Sequence, residues 1–237
     1  MVEFLVKEKE IVVPGQILAE GMDAVPGSGS YREDQNIYSS RLGLTYLDGR
    51  AVKVIPLSGV YMPKIDDIII AKVFDITMSG WRLMINCAYP AMLSLKDATA
   101  DYIRKGADLS QYFRIGDSIV CKITNVTSQK LVDVTMREPG LKKLAGGRIF
   151  AVNTNKVPRI IGKKGSMVSM IKQATGCRIV VGQNGQVWIQ GEMESEFLAI
   201  EAIRKIENQS HISGLTGIIK DFLEQKTGKE IAEVEEK

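Results

Sequence analysis

Lys156-Val157-Pro158-Arg159-Ile160-Ile161-Gly162-Lys163-Lys164-Gly165-Ser166-Met167-Val168-Ser169-Met170-Ile171-Lys172-Gln173-Ala174-Thr175-Gly176 is where two short apolar periods meet at a pair of glycines. Residues 156–161 read as a brief helix, and positions 167, 168, 170, 171 and 174 keep a helical spacing that stops at Gly176. Between them, Gly162 and Gly165 carry no Cβ, so a sugar-phosphate chain can come close to the main chain. The second helix starts at once, so its N–H groups and dipole favour a phosphate, and Lys163 and Lys164 add mobile positive charge. Outside this core, Arg148–Val152, Cys177–Val181 and Gln186–Gln190 read as strands and Glu194–Asn208 as an outer helix. The resulting order is β-α-α-β-β-α.

Charge is distributed in the same sense. The chain of 237 residues has a net charge of only +3, yet from Leu141 to Gly191 nine basic residues stand without a single Asp or Glu. From Glu192 onward, eleven acidic residues face six basic ones. Positive potential confined to one segment is what a surface for a polyanion requires, whereas an ordinary solvated face interleaves both signs. The helix–GxxG–helix unit resembles the KH domain of eukaryotic type, which implies single-stranded RNA as ligand. Gly162, Lys163, Lys164 and Gly165 would then clamp the backbone with Arg159 beside them, and Ile160, Ile161 and Val168 would line a groove for bases or fill the core, two places their sequence does not separate. A second pair, Gly182-Gln183-Asn184-Gly185, reads as a hairpin turn.

The middle of the chain repeats itself. Asp67–Thr77 aligns without gaps on Asp117–Thr127, and with 81–86, 91–95 and 131–136 they give five strand candidates, two of them long. Five strands of this kind suit an OB barrel. The run Asp67–Thr77, the strand after Gly80, Gly116-Asp117 and Val132-Asp133-Val134-Thr135 resemble the RNA-binding barrel named after ribosomal protein S-one. Residues 96–114 depart from that pattern and are expected to include a helical turn. Trp81, Tyr89 and Tyr112 are the aromatic candidates for base stacking, against the commoner place of a lone strand aromatic in core or rim.

Residues 1–62 read as short strands and turns with little core of their own, a β-rich segment suited to docking. Cys87, Cys121 and Cys177 form no C-x-x-C pair and are expected as core thiols, without disulfide or zinc. His211 has no catalytic companions in the sequence, and Asp66-Asp67 reads as a strand start more readily than as a magnesium site. No enzyme activity, metal or cofactor is expected. No apolar run reaches the roughly 20 residues of a membrane helix, and the N-terminus lacks a signal pattern, so the expected location is the cytoplasm.

The arrangement predicted is therefore multidomain, β-rich plus α+β: an N-terminal β domain (1–62), a five-stranded OB-type barrel (63–138), a eukaryotic-type KH domain with C-terminal helix (139–226) and an acidic tail (227–237). That order, with G-x-N-G inside the KH segment, is similar to the RNA-binding cap subunits of archaeal exosomes over residues 1 to 225. The resemblance implies a structural, interdomain role for G-x-N-G. It also implies three copies on a hexameric ring of phosphorolytic subunits, the N-terminal segments gripping the ring and the barrels facing the pore. Basic residues there would include some of Arg82, Lys96, Arg104, Lys105 and Lys122. The competing reading is a free-standing RNA-binding regulator of transcription or translation, and a third is a purely structural adaptor.

Overall fold

The computed structural model describes residues 3–57, 59–99, 103–104, 106–210, 212 and 214–228. Among them no helix is long and apolar enough to cross a membrane. Two compact units meet in sequence at Gly59 and Val60. The first holds β1 (Glu3–Phe4), β2 (Ile11–Val12), β3 (Ile17–Glu20), β4 (Val25–Pro26), β5 (Ser30–Glu33), β6 (Asn36–Ser39), β7 (Gly43–Asp48) and β8 (Ala51–Pro56). They form two four-stranded sheets, ordered β1-β3-β6-β5 and β2-β7-β8-β4. Both sheets contribute to one small core that contains Val12, Leu18, Ile37, Val52 and Val54.

The second unit begins with the barrel: β9 (Ile68–Thr77), β10 (Gly80–Met84), β11 (Ala91–Ser94), α1 (Leu95–Ala98), β12 (Ser118–Val126) and β13 (Val132–Thr135). The sheet runs β13-β11-β10-β9-β12, and pairing of β13 with β12 closes it. The long β12 makes closure possible, because its first half pairs with β9 and its second half with β13. Trp81, Leu83, Leu93, Ile119 and Ile123 fill the interior. A short strand that the sequence pattern does not announce, β14 (Lys143–Leu144), adds to the free edge of β12. It belongs to the barrel sheet although it falls within the segment read as KH.

The KH part follows with β15 (Arg148–Ala151), α2 (Val157–Ile161), α3 (Ser166–Thr175), β16 (Arg178–Val181), β17 (Gln186–Gln190), α4 (Met193–Asn208) and α5 (Leu215–Thr227). The sheet is antiparallel in the order β15-β17-β16. Its Ile179, Val187 and Ile189 pack on the helices. Helix α5, for which the sequence reading gave no bounds, buries Leu215, Ile219 and Leu223 in the same core. His211, Lys105 and the tail beyond Gly228 lie outside the described residues.

Barrel and KH sheet share a seam. A strand covered on one face alternates buried and exposed, yet Ile69, Ile70 and Ala71 are all buried, as are Ile119, Val120 and Cys121. Ile69 and Ile119 point into the barrel, whereas Ile70 and Val120 meet Trp188 and Leu144, with Val180 and Leu141 beside them. The echo between the two long strands is thus a pair of strands buried on both faces. Ile70, Val120 and Leu144 each contribute roughly 1.5–3 kcal/mol by leaving water, an upper figure for a seam between preformed parts.

The turn 182–185 fixes the register of this seam. Strand β10 pairs with β9 only from Lys72 onward, so Ile68 and Ile70 have no strand partner on that side. Gln183 N–H donates to Ile68 C=O at 2.8 Å. The fully buried Asn184 accepts from Ile70 N–H at 3.3 Å and donates to the carbonyls of Ile70 at 2.8 Å and Ile85 at 3.0 Å. Its carboxamide stands in for one peptide of a missing strand. Asn86 Nδ2 returns a bond to Asn184 C=O at 2.9 Å. A Cβ on Gly182 would lie 2.5 Å from Asn184 Oδ1 and 2.8 Å from Ile70 N, and Gly185 has φ +77°, so both ends of the turn need glycine.

Replacing Asn184 by Ala leaves three buried backbone groups of the barrel without partners, for an expected loss of about 3 kcal/mol. Urea denaturation followed by tryptophan fluorescence and circular dichroism measures it. A loss under about 1 kcal/mol would show that water replaces the carboxamide at little cost.

Candidate nucleic-acid interface

The clamp is built by backbone conformation. Pro158 sits in the first turn of α2, where its missing N–H costs nothing, and the helix ends at Gly162 with φ 75° and ψ 175°, a region open essentially to glycine. Lys164 then takes a left-handed conformation (φ 51°, ψ 24°) and Gly165 another (φ 84°, ψ 9°). A Cβ at Gly162 would lie 2.7 Å from Met167 N, while Gly165 has nothing within 4 Å. Gly162 therefore closes the turn onto α3, and Gly165 leaves its outer side open to a ligand. No side chain caps the start of α3, and Lys163 and Lys164 are both exposed there. N–H groups that no side chain caps, a helix dipole and two exposed lysines come together at one place.

Arg159 is exposed on α2, and Ile161 and Val168 are half-buried against the KH core, so these three can present surface to a ligand. Ile160 cannot. It is fully buried and belongs to the core, which decides its place between groove and core. Of the nine basic residues in the acid-free stretch, some are held internally. Lys143 pairs with Asp117, Arg148 pairs with Glu196 at 3.0 Å and covers the Phe197 ring, and Lys156 donates to Glu207 C=O at 2.8 Å. Lys142, Arg159, Lys163, Lys164, Lys172 and Arg178 are exposed.

On the barrel the structure reassigns the aromatic candidates. Trp81 is completely buried, donates its Nε1–H to Phe113 C=O at 3.0 Å and meets the Phe113 ring edge-on, so it is core and takes no part in stacking. Tyr89 and Tyr112 are partly exposed. The exposed aromatic on the long strand is Phe74, which the sequence reading passed over. It lies at the irregularity in β9–β10 pairing, with the Arg82 guanidinium 5.4 Å from its ring centroid and Asp75 at 3.7 Å from Arg82. The signal was available in the alternation Val73-in, Phe74-out.

Lys96 on α1 and Arg104 are exposed. Lys122 is not a free cation. Glu138 at 2.9 Å and Asp66 at 3.1 Å both hold it, and those bonds raise its pKa, so its charge is spent inside the protein. Asp66 is thereby committed to Lys122, and Asp67 accepts from Tyr61 OH at 2.5 Å, so these carboxylates serve different partners. Among the described residues no group of three His, Cys, Asp or Glu converges for a metal. Burial pushes the Cys121 thiol up to about 12, and Cys177 is likewise buried.

Two family models match the chain: the KH domain over residues 148–205 and the exosome RNA binding protein RRP4 N-terminal domain over residues 9–58. An exosome complex component Rrp4 from Methanothermus fervidus is 41% identical over 92% of this chain and 96% of its own length. The one from Thermococcus kodakarensis is 42% identical over 94% of this chain and 88% of its own. The solved structure of a candidate exosome complex RNA-binding protein superposes with a TM-score of 0.63 at 29% identity, covering 71% of this chain and 97% of that one. Identity of this level over nearly the full length of its relatives, with a glycine-lysine turn between the helices of a KH fold that is docked to a closed barrel, means that this chain belongs to the Rrp4 family of exosome complex components.

Proposed function

We propose that the protein is a non-catalytic RNA-binding subunit of an exosome, which takes hold of single-stranded RNA at Gly162-Lys163-Lys164-Gly165 and passes it along the barrel. The observation that carries this is the uncapped start of α3, flanked by two exposed lysines inside a stretch free of carboxylates. Arg159 and Ile161 flank the clamp. Arg82, with Phe74 beneath it, Lys96 and Arg104 supply contacts on the barrel, and Lys105 joins that set by sequence. Lys122 drops out because two carboxylates neutralise it.

In this reading three copies sit on a hexameric ring of phosphorolytic subunits in the cytoplasm, with the first 59 residues as the part that grips the ring. Weak contacts then suffice, because three clamps around one pore raise the effective concentration of a tethered strand. The protein itself cuts nothing. Family membership supports that role.

Binding of a labelled 20-nucleotide single-stranded RNA is expected to weaken with salt. Changing Lys163 and Lys164 together to Asp is expected to lower affinity at least about tenfold and to flatten the slope of log affinity against log salt by about 1.4, two phosphates at roughly 0.7 each. Fluorescence anisotropy over a salt series checks this, and unchanged binding by the folded variant would remove the clamp from the RNA site.

Mixed with an archaeal phosphorolytic hexamer, the chain is expected to co-elute at a mass consistent with three copies per ring and to speed RNA decay. Light scattering coupled to gel filtration, with a decay assay, reads both. RNA binding without association would favour the free-standing regulator.

A further inference from the structure

The seam between barrel and KH sheet stops short of the sheet edge. On the KH sheet, Ile149, Trp188 and Val180 lie side by side on the face toward the barrel. Trp188 is 3% exposed, whereas Ile149, at the edge strand, is 41% exposed. Opposite, Met84, Lys72 and Ser118 are cross-strand neighbours on β10, β9 and β12. Between these two rows lies a groove of about 320 Å³, lined also by Asn86 and Gln186 and floored by Ile70 and Ala71.

We propose that this groove holds one nucleotide of the bound RNA, its base between Met84 and Ile149 and a phosphate at Lys72. The inference rests on the RNA-binding reading above and adds a second contact point to it. Three properties favour this occupant. The volume is at the low end of the range for pockets that take small ligands, about 300–1,000 Å³, which suits one nucleotide and not a folded element. Its walls offer apolar surface from Met84 and Ile149 together with polar groups that have no side-chain partner among the described residues: the Gln186 carboxamide and the Ser118 hydroxyl. A carboxamide both donates and accepts, as the edge of a splayed base requires.

The third property is charge. Lys72 is exposed and makes no ion pair among the described residues, and Asp117, the acid next to Ser118, is already engaged by Lys143 and by Arg114 N–H. The groove therefore presents a net positive charge to a phosphodiester. It also continues the barrel surface that carries Phe74, two residues along β9 from Lys72, so a strand on that surface reaches the KH sheet without leaving the protein.

The test uses the full chain and a 20-nucleotide single-stranded oligoadenylate in anisotropy titrations over a salt series. Lys72→Gln is expected to flatten the salt slope by about 0.7, the share of one phosphate. Ile149→Ser, at a position already partly exposed, is expected to weaken binding at least about threefold with the slope unchanged. Wild-type affinity and slope in both variants, while the Lys163/Lys164 double variant loses binding, overturns the groove and leaves the clamp. If all three variants bind normally, both the groove and the clamp are overturned as RNA contacts; if the wild-type chain itself does not bind, the RNA reading has failed. Should a variant unfold, photocrosslinking of the wild-type chain to a 20-nucleotide RNA of 4-thiouridine replaces it. Adducts on the peptides holding Met84 or Ile149 support the site, and adducts confined to residues 159–166 overturn it. Groove variants that bind RNA normally but no longer join the ring would assign the groove to a protein contact.

Discussion

The union of barrel and KH sheet at Asn184 is the constraint on which the rest of the second unit depends. Apolar burial at Ile70, Val120, Leu144 and Trp188 supplies most of the free energy, because each side chain leaves water on a face that a lone barrel or sheet would expose. Apolar contact is indifferent to small slips, however. The Asn184 carboxamide is not: it meets both the N–H and the C=O of Ile70 and so allows one register of the two sheets. A neutral hydrogen bond contributes about 1 kcal/mol net, but a buried strand edge left unmade costs more, so the polar contact sets the geometry that the seam stabilises.

In the proposed function, a clamp and a barrel face held at fixed separation share one strand of RNA. The sequence concentrates positive charge in residues 141–191, and folding then sorts it: Lys143, Arg148 and Lys156 are drawn into internal bonds, while Arg159, Lys163 and Lys164 stay at the surface around the uncapped helix. Lys122, by contrast, is held by two carboxylates on the barrel. Local glycine chemistry does the remaining work. Gly162 adopts backbone angles closed to other residues, and Gly165 keeps the approach clear of a Cβ.

Much of this was legible in the chain. The period-3.6 spacing on either side of Gly162 and Gly165 gave both helices of the clamp, and the gapless echo of 67–77 in 117–127 gave the two long barrel strands. The aromatic candidates stay unsorted in the sequence because residue type does not report side: β10 is short and Trp81 points inward, while Phe74, on the neighbouring strand, points out. Groove and core stay undivided at Ile160 for a related reason, since Ile160 and Ile161 are alike in sequence and only packing separates a core position from a rim position. Helix α5 had no bounds in the sequence reading, and its place in the KH core depends on α3 and α4, which offer it an apolar surface only once folded.

By itself, then, the sequence determined the local elements, the chemistry of the clamp and the family resemblance, because periodicity, glycine placement and charge runs are properties of neighbouring residues. The tertiary structure decided what distant residues do to one another. It buried Ile70 and Val120 on a second face, committed Lys122 to Asp66 and Glu138, joined β14 to the barrel, and left Ile149 and Lys72 facing a groove. Those outcomes depend on which surfaces meet across long sequence separations, and the identity of the residues at each position does not encode that until the sheets have docked.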